Sequence, residues 1–144
     1  MLTNGIQTLL QEAGESGCYF FCLAHVAEKF LNAPIDVVDL MHKGIEKGAI
    51  LYNEHDMNDN DNFFIQNPAL LLYLATGAKW EVRYDKRDYR ASVNEFVINR
   101  WERKATGKTW AHFDMSDFHP IAINHCNTIL YGAIVSTRVC KVEA

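Results

Sequence analysis

At 144 residues the chain has room for one domain with a sizeable core, and 49% hydrophobic with 22% charged residues is ordinary globular usage that excludes a disordered or fibrous protein. The net charge is -4, with basic residues gathered only around Lys86, Arg87 and Arg90 and around Arg100, Arg103 and Lys104, too small a footprint for a nucleic-acid partner.

In chain order, the opening "MLTNGIQTLLQEAGES" has neither a positive n-region nor a small-residue cleavage site, and no apolar run approaches the roughly 20 residues that cross a bilayer. No membrane association is expected, and a cytoplasmic location is. In such a reducing compartment the four cysteines, Cys18, Cys22, Cys126 and Cys140, are expected as free thiols. The stretch "GESGCYFFCLAHVAEKFL" predicts a first helix over 17–31, capped by the Ser16 hydroxyl, with Cys18 in its first turn. Asp36 can cap a second helix through Lys47, with Val37, Leu40, Met41 and Ile45 spaced for burial and Gly48 beyond the end. A third carries Asn67 as cap, Pro68 in the first helical position, the run "ALLLYLAT" and Gly77 as terminator.

Between the second and third helices lies "NEHDMNDNDN", residues 53–62. Asp56, Asn58 and Asn60 have calcium-loop spacing, but the sixth position is Asp61 rather than Gly and the twelfth is Asn67 rather than Glu. A solvated surface loop is expected, placed where it could wall a site. From Trp80 onward strands are favoured: "WEVRY", "SVNEFVINRWE", "TWAHFDM" and "ILYGAIVSTRVCKV", with "RKATGK" as a hairpin loop. Helices followed by a run of strands predict a single α+β domain over residues 1–144, its N-terminal helices packed on a C-terminal antiparallel sheet.

Cys18 is the residue with chemistry to explain. A thiol attacks as thiolate, and the unpaired amides and aligned peptide dipoles of a helix start favour that charge. A neighbouring imidazole would complete the activation. Of six histidines, His25 lies two turns along the helix and reads as packed or superficial, His42 reads as solvent-facing, and His55 sits in the polar loop. In "TWAHFDM" strand alternation sets Ala111, Phe113 and Met115 on one face and Trp110, His112 and Asp114 on the other, which gives His112 a rigid mount. His119 and His125 follow it. The plainer alternatives are a Cys18 that packs as a small hydrophobe and a His112 half-buried in the sheet. Cys22 is expected to pack one turn on, or to serve as a redox partner of Cys18. A zinc set of Cys18, Cys22 and His25 with His125 or Cys126 would spread three ligands over two turns of one helix, a poor tetrahedron, so no metal or other cofactor is expected. Trp80, Trp101 and Trp110 are expected in the core and sheet rather than as a base-stacking platform.

Gln11, "SGCYF" opening a helix and a late "HF" on an antiparallel strand together resemble the papain-like cysteine peptidase superfamily, most of all the small domains that cleave double-glycine leaders from bacteriocins and their compact phage-borne relatives. The order of elements matches throughout; at residue level Gly17-Cys18-Tyr19 and His112-Phe113 match. The resemblance implies Cys18 as nucleophile, His112 as general base and Gln11, with the Cys18 amide, as donor to the oxyanion. Many members place the cysteine six residues after that glutamine; here the offset is seven, and Gln7 is the weaker substitute. The residue that orients the imidazole is normally an Asp or Asn after the histidine, yet where an Asp-Pro is expected this chain has His119-Pro120. Asp117 is the first candidate, with Asp114 and Asn127 as alternatives, and a bare Cys-His dyad is a further form.

Two functions follow from that resemblance. One is a cysteine hydrolase that forms an acyl-thioester with a peptide or protein substrate, its outcome peptide cleavage, deamidation or acyl transfer. The other is a catalytically inert binding module of papain-like shape, phage-encoded, that blocks a host protein. Loss of Asp-Pro favours the second; retention of Gln11, Cys18 and His112 favours the first.

Overall fold

A computed structural model describes residues 15–52, 63–120 and 126–143. The elements run α1 (Glu15–Leu31), α2 (Val37–Glu46), β1 (Ile50–Tyr52), β2 (Phe63–Ile65), α3 (Pro68–Thr76), β3 (Trp80–Asp85), β4 (Glu95–Ala105), β5 (Lys108–Asp114), α4 (Cys126–Tyr131) and β6 (Ala133–Val142). The helices lead and an antiparallel sheet follows, so the architecture is α+β as expected. Gln11 and the polar loop 53–62 lie outside the described residues, and so does any wall the loop might form.

The capping chemistry forecast for α2 and α3 is present. Asp36 accepts from the Asp39 amide at 3.0 Å, and Asn67 accepts from the Leu70 amide at 3.0 Å. Gly77, at φ 77°, closes α3 by donating its amide to the Tyr73 carbonyl at 2.8 Å. The first helix differs: it begins at Glu15, so Ser16 is a residue of the helix rather than its cap. Cys18 therefore closes the first turn instead of standing near its start.

Four strands form the main sheet in the order β3-β6-β4-β5, with every pairing antiparallel. β4 and β5 are joined by a two-residue turn in which Thr106 (φ 51°) and Gly107 (φ 76°) both take positive φ, the geometry whose twist matches a hairpin. The expected strand "SVNEFVINRWE" starts later, because residues ahead of Glu95 turn through Asn94 at φ 67°. The expected strand over "ILYGAIVSTRVCKV" is divided: its first residues end the short helix α4 and only Ala133 onward is strand. Gly132 makes the division possible, since a Cβ there would overlap the Thr128 and Glu102 carbonyl oxygens. A second, two-stranded sheet pairs Ile50 with Ile65 and Tyr52 with Phe63. The sequence reading contained no such ribbon.

Between helices and sheet the core is apolar and dense. Phe20, Cys22, Leu23, Val26 and Ala27 of α1 are fully buried, with Leu71 of α3 and Ile98 and Cys140 of the sheet. Across the sheet, register sets Trp80, Val82, Phe96, Ile98, Phe113 and Cys140 on the face that meets α1. At Gly44 a Cβ would lie 2.7 Å from Ile50 Cδ1 and 2.9 Å from Leu71 Cδ1, so a missing side chain lets α2 approach β1 and α3. No described helix is long and apolar enough to cross a membrane.

Candidate active site

Two ring stacks fix how α1 lies along β5, the edge strand of the sheet. Tyr19 stacks on Phe113 with centroids 4.6 Å apart, and farther along His25 stacks on Phe118 at 4.4 Å. The helix and β5 therefore run in the same direction. Cys18 and His112 immediately precede the first stacked pair, and both are buried, with 2% and 1% exposure.

His112 and Asp114 project from the sheet face opposite Phe113, since alternate residues of a strand point to opposite sides. At an edge strand both faces come within reach of a helix lying alongside. Burial drives the Cys22 thiol well above its ordinary pKa, and the electrostatic effects of Cys18, Asp114 and Cys140 add to the rise. Stepping back one helical turn from Cys22 gives Cys18, about 6 Å along the axis. Stepping back two strand residues from Asp114 gives His112, about 6.8 Å along β5. Cys18 and His112 thus each stand one residue before the Tyr19–Phe113 stack, on elements that run in the same direction.

Asp114 is the hub of the polar groups on that face. Its Oδ1 accepts from Trp101 Nε1 at 2.8 Å and from Asn99 Nδ2 at 3.4 Å, while its Oδ2 lies 3.0 Å from His119 Nδ1. Trp101 is the cross-strand partner of His112 and Asn99 that of Asp114. The carboxylate thus locks the indole that borders His112, and it is 3% exposed against 65% for the His119 side chain.

Asp117, the first sequence candidate for orienting His112, is committed elsewhere. It accepts from Lys29 Nζ at 2.6 Å and lies 3.6 Å from His25 Nε2, both on α1. The Lys29 hydrogen bond, against a smaller effect of burial, holds its carboxyl below the usual aspartate range. Its role is to clasp the turn between Met115 and Phe118 onto α1. Asn127 falls in α4 with its side chain outside the described atoms, as is Cys126's; Cys22 and Cys140 are free thiols. His42 is exposed, as its place on α2 predicted.

Sequence reasoning missed His119 as a partner of Asp114, placed Trp101 in the sheet without joining it to the site, and did not name Asn99. The strand alternation had grouped Asp114 with His112, and the hairpin at Thr106-Gly107 held the information that would have added Trp101, once its register was known.

What the architecture defines is an α+β protein with a cysteine-bearing helix laid along a histidine-bearing edge strand. Residues 2–142 match the family model described as "Protein of unknown function, DUF261", and the chain belongs to that family. Neither a curated protein nor a solved structure matches it.

Proposed function

We propose that the protein is a papain-like cysteine hydrolase acting on a peptide or protein substrate, with Cys18 as nucleophile and His112 as general base. The observation that supports this most is the placement of the two residues: α1 and β5 run in the same direction, Tyr19 is stacked on Phe113, and Cys18 and His112 each come one residue before that stack. In this reading Cys18 Sγ adds to a substrate carbonyl after passing its proton to His112. The oxyanion takes the Cys18 amide and the Gln11 side chain as donors. The imidazolium then protonates the leaving amine as the carbon–nitrogen bond breaks, which leaves an acyl-thioester on Cys18. Water, deprotonated by His112, releases the acid and restores the thiol. Asp114 replaces Asp117 as the third residue: its negative charge favours the imidazolium, and its bond to Trp101 holds the indole beside His112.

The test is the pH dependence of iodoacetamide alkylation of Cys18, read by peptide mass spectrometry in the wild type and in His112→Ala. The expected result is reaction of Cys18 well below the ordinary thiol range of about 8.5, lost in the variant, while Cys22 and Cys140 stay unmodified. Near-complete burial of Cys18 and His112 is what favours the inert binding module. A Cys18 that behaves like Cys22 at every pH would establish that alternative.

A further inference from the structure

Arg138 on β6 is a buried cation that has no acid beside it among the described residues. It is 7% exposed, and no Asp or Glu among the described residues lies within ion-pair distance. Its Nη1 donates to Ser136 Oγ at 2.9 Å and to the Thr137 carbonyl at 3.2 Å. Nε and Nη2 have no acceptor among the described residues, yet neither is sealed from solvent. The guanidinium stacks 3.6 Å from the Tyr84 ring centroid and lies 5.7 Å from that of Phe113. A second guanidinium, Arg100, stands 5.4 Å from the same Phe113 ring and pairs with Glu102 at 3.1 Å.

The acids of the neighbouring strands either face elsewhere or are held by another cation. Asp85 and Glu95 hold Arg83, and Asp114 holds Trp101 and His119 on the far face of the sheet. The groups that share this face with Arg138 are Tyr84 on β3, Arg100 and Glu102 on β4, Cys140 on β6 and Tyr19 and Cys22 on α1; the one carboxylate among them, Glu102, is held by Arg100 at 3.1 Å, and burial keeps the Tyr19 hydroxyl and the Cys140 thiol protonated. A buried, planar, permanently charged fork with two open nitrogens is built for a carboxylate or phosphate. Its position gives it a purpose: Phe113, against which both guanidinia lie, is the ring on which Tyr19 stacks, and Tyr19 follows Cys18.

We propose that Arg138 and Arg100, walled by Tyr84 and Phe113, form an oxyanion-binding niche that takes a carboxylate of the substrate and delivers acidic peptides to Cys18. The substrate role rests on the hydrolase reading; the niche does not.

Two alkylating probes at one thiol test the substrate role. Iodoacetate carries a carboxylate and iodoacetamide does not, so the ratio of their rates at Cys18 reports the local charge. The ratio is expected to exceed that of the urea-unfolded chain by about tenfold, the attraction of unit charges about 10 Å apart at an effective dielectric of about 20. Arg138→Gln should abolish the excess. Arg100→Gln, on a less buried side chain, should reduce it if Arg138→Gln does not fold. A reactive Cys18 whose ratio matches the unfolded chain overturns the substrate role.

The niche itself is tested without Cys18, by following the Arg138 Nε–Hε resonance as acetate or inorganic phosphate is added. A saturable shift with acetate supports the carboxylate site. Saturation by phosphate alone transfers the niche to phosphoryl groups and overturns the acidic-peptide assignment, and no saturation by either anion removes the niche. Should Cys18 react with neither alkylating probe, the hydrolase reading falls while the acetate titration still decides the niche.

Discussion

Replacing Asp114 by alanine tests whether this carboxylate organises the face that carries His112. The side chain is 3% exposed and accepts a 2.8 Å bond from the half-buried indole of Trp101, so its loss strands that donor at about 1–3 kcal/mol. The space left by the carboxylate adds about 1 kcal/mol. His119 contributes little to the loss, because at 65% exposure water can replace the carboxylate. The sum is about 2–4 kcal/mol, which for a domain of this size is a fall in Tm of about 6–12 °C. Asp114→Asn keeps an oxygen for Trp101 and should cost about 1 kcal/mol. Urea unfolding followed by circular dichroism would measure both variants. If alanine and asparagine cost the same, or alanine costs under about 0.5 kcal/mol, the indole bond is not what this carboxylate is for.

Gly132→Ala would force the new Cβ against the Thr128 and Glu102 carbonyls and should cost about 3 kcal/mol; a thermal melt within a degree of wild type would show that the chain relaxes freely there. Lys29→Ala should cost at most about 1 kcal/mol at pH 7, since the Asp117 pair is half exposed. Because the folded Asp117 pKa is lowered, that contribution is present above the unfolded value of about 3.9 and disappears as pH falls through the folded one, so wild type and variant should converge in acid urea titrations. Burial pushes the Cys140 thiol up to about 12 from an ordinary 9.0, so its contribution is complete below pH 9.0 and lost as pH rises towards 12. The urea midpoint should fall across that window and fall less in Cys140→Ala, and equal slopes would exclude the thiol as the cause.

The sequence by itself determined the features that depend on a few neighbouring residues. Asp36, Asn67-Pro68 and Gly77 placed the ends of α2 and α3, because caps act over three or four positions. The period-two pattern of "TWAHFDM" put His112 with Asp114 and apart from Phe113, because alternation is a property of the extended backbone. Helices before strands were enough for α+β. The tertiary structure alone decided which charges and donors meet across the chain. Asp117 and Asp114 are three residues apart and look equivalent as letters, yet a turn between Met115 and Phe118 sends one to Lys29 and keeps the other under Trp101. Trp101 and His112 are neighbours only through the β4–β5 register, and among the described residues Arg138 lacks an acid because β6 carries none while Arg83 and Arg100 hold those of β3 and β4 that lie nearest. Local sequence carries backbone preference, whereas the partner of a buried charge is set by long-range packing, which brings together residues that no short window contains.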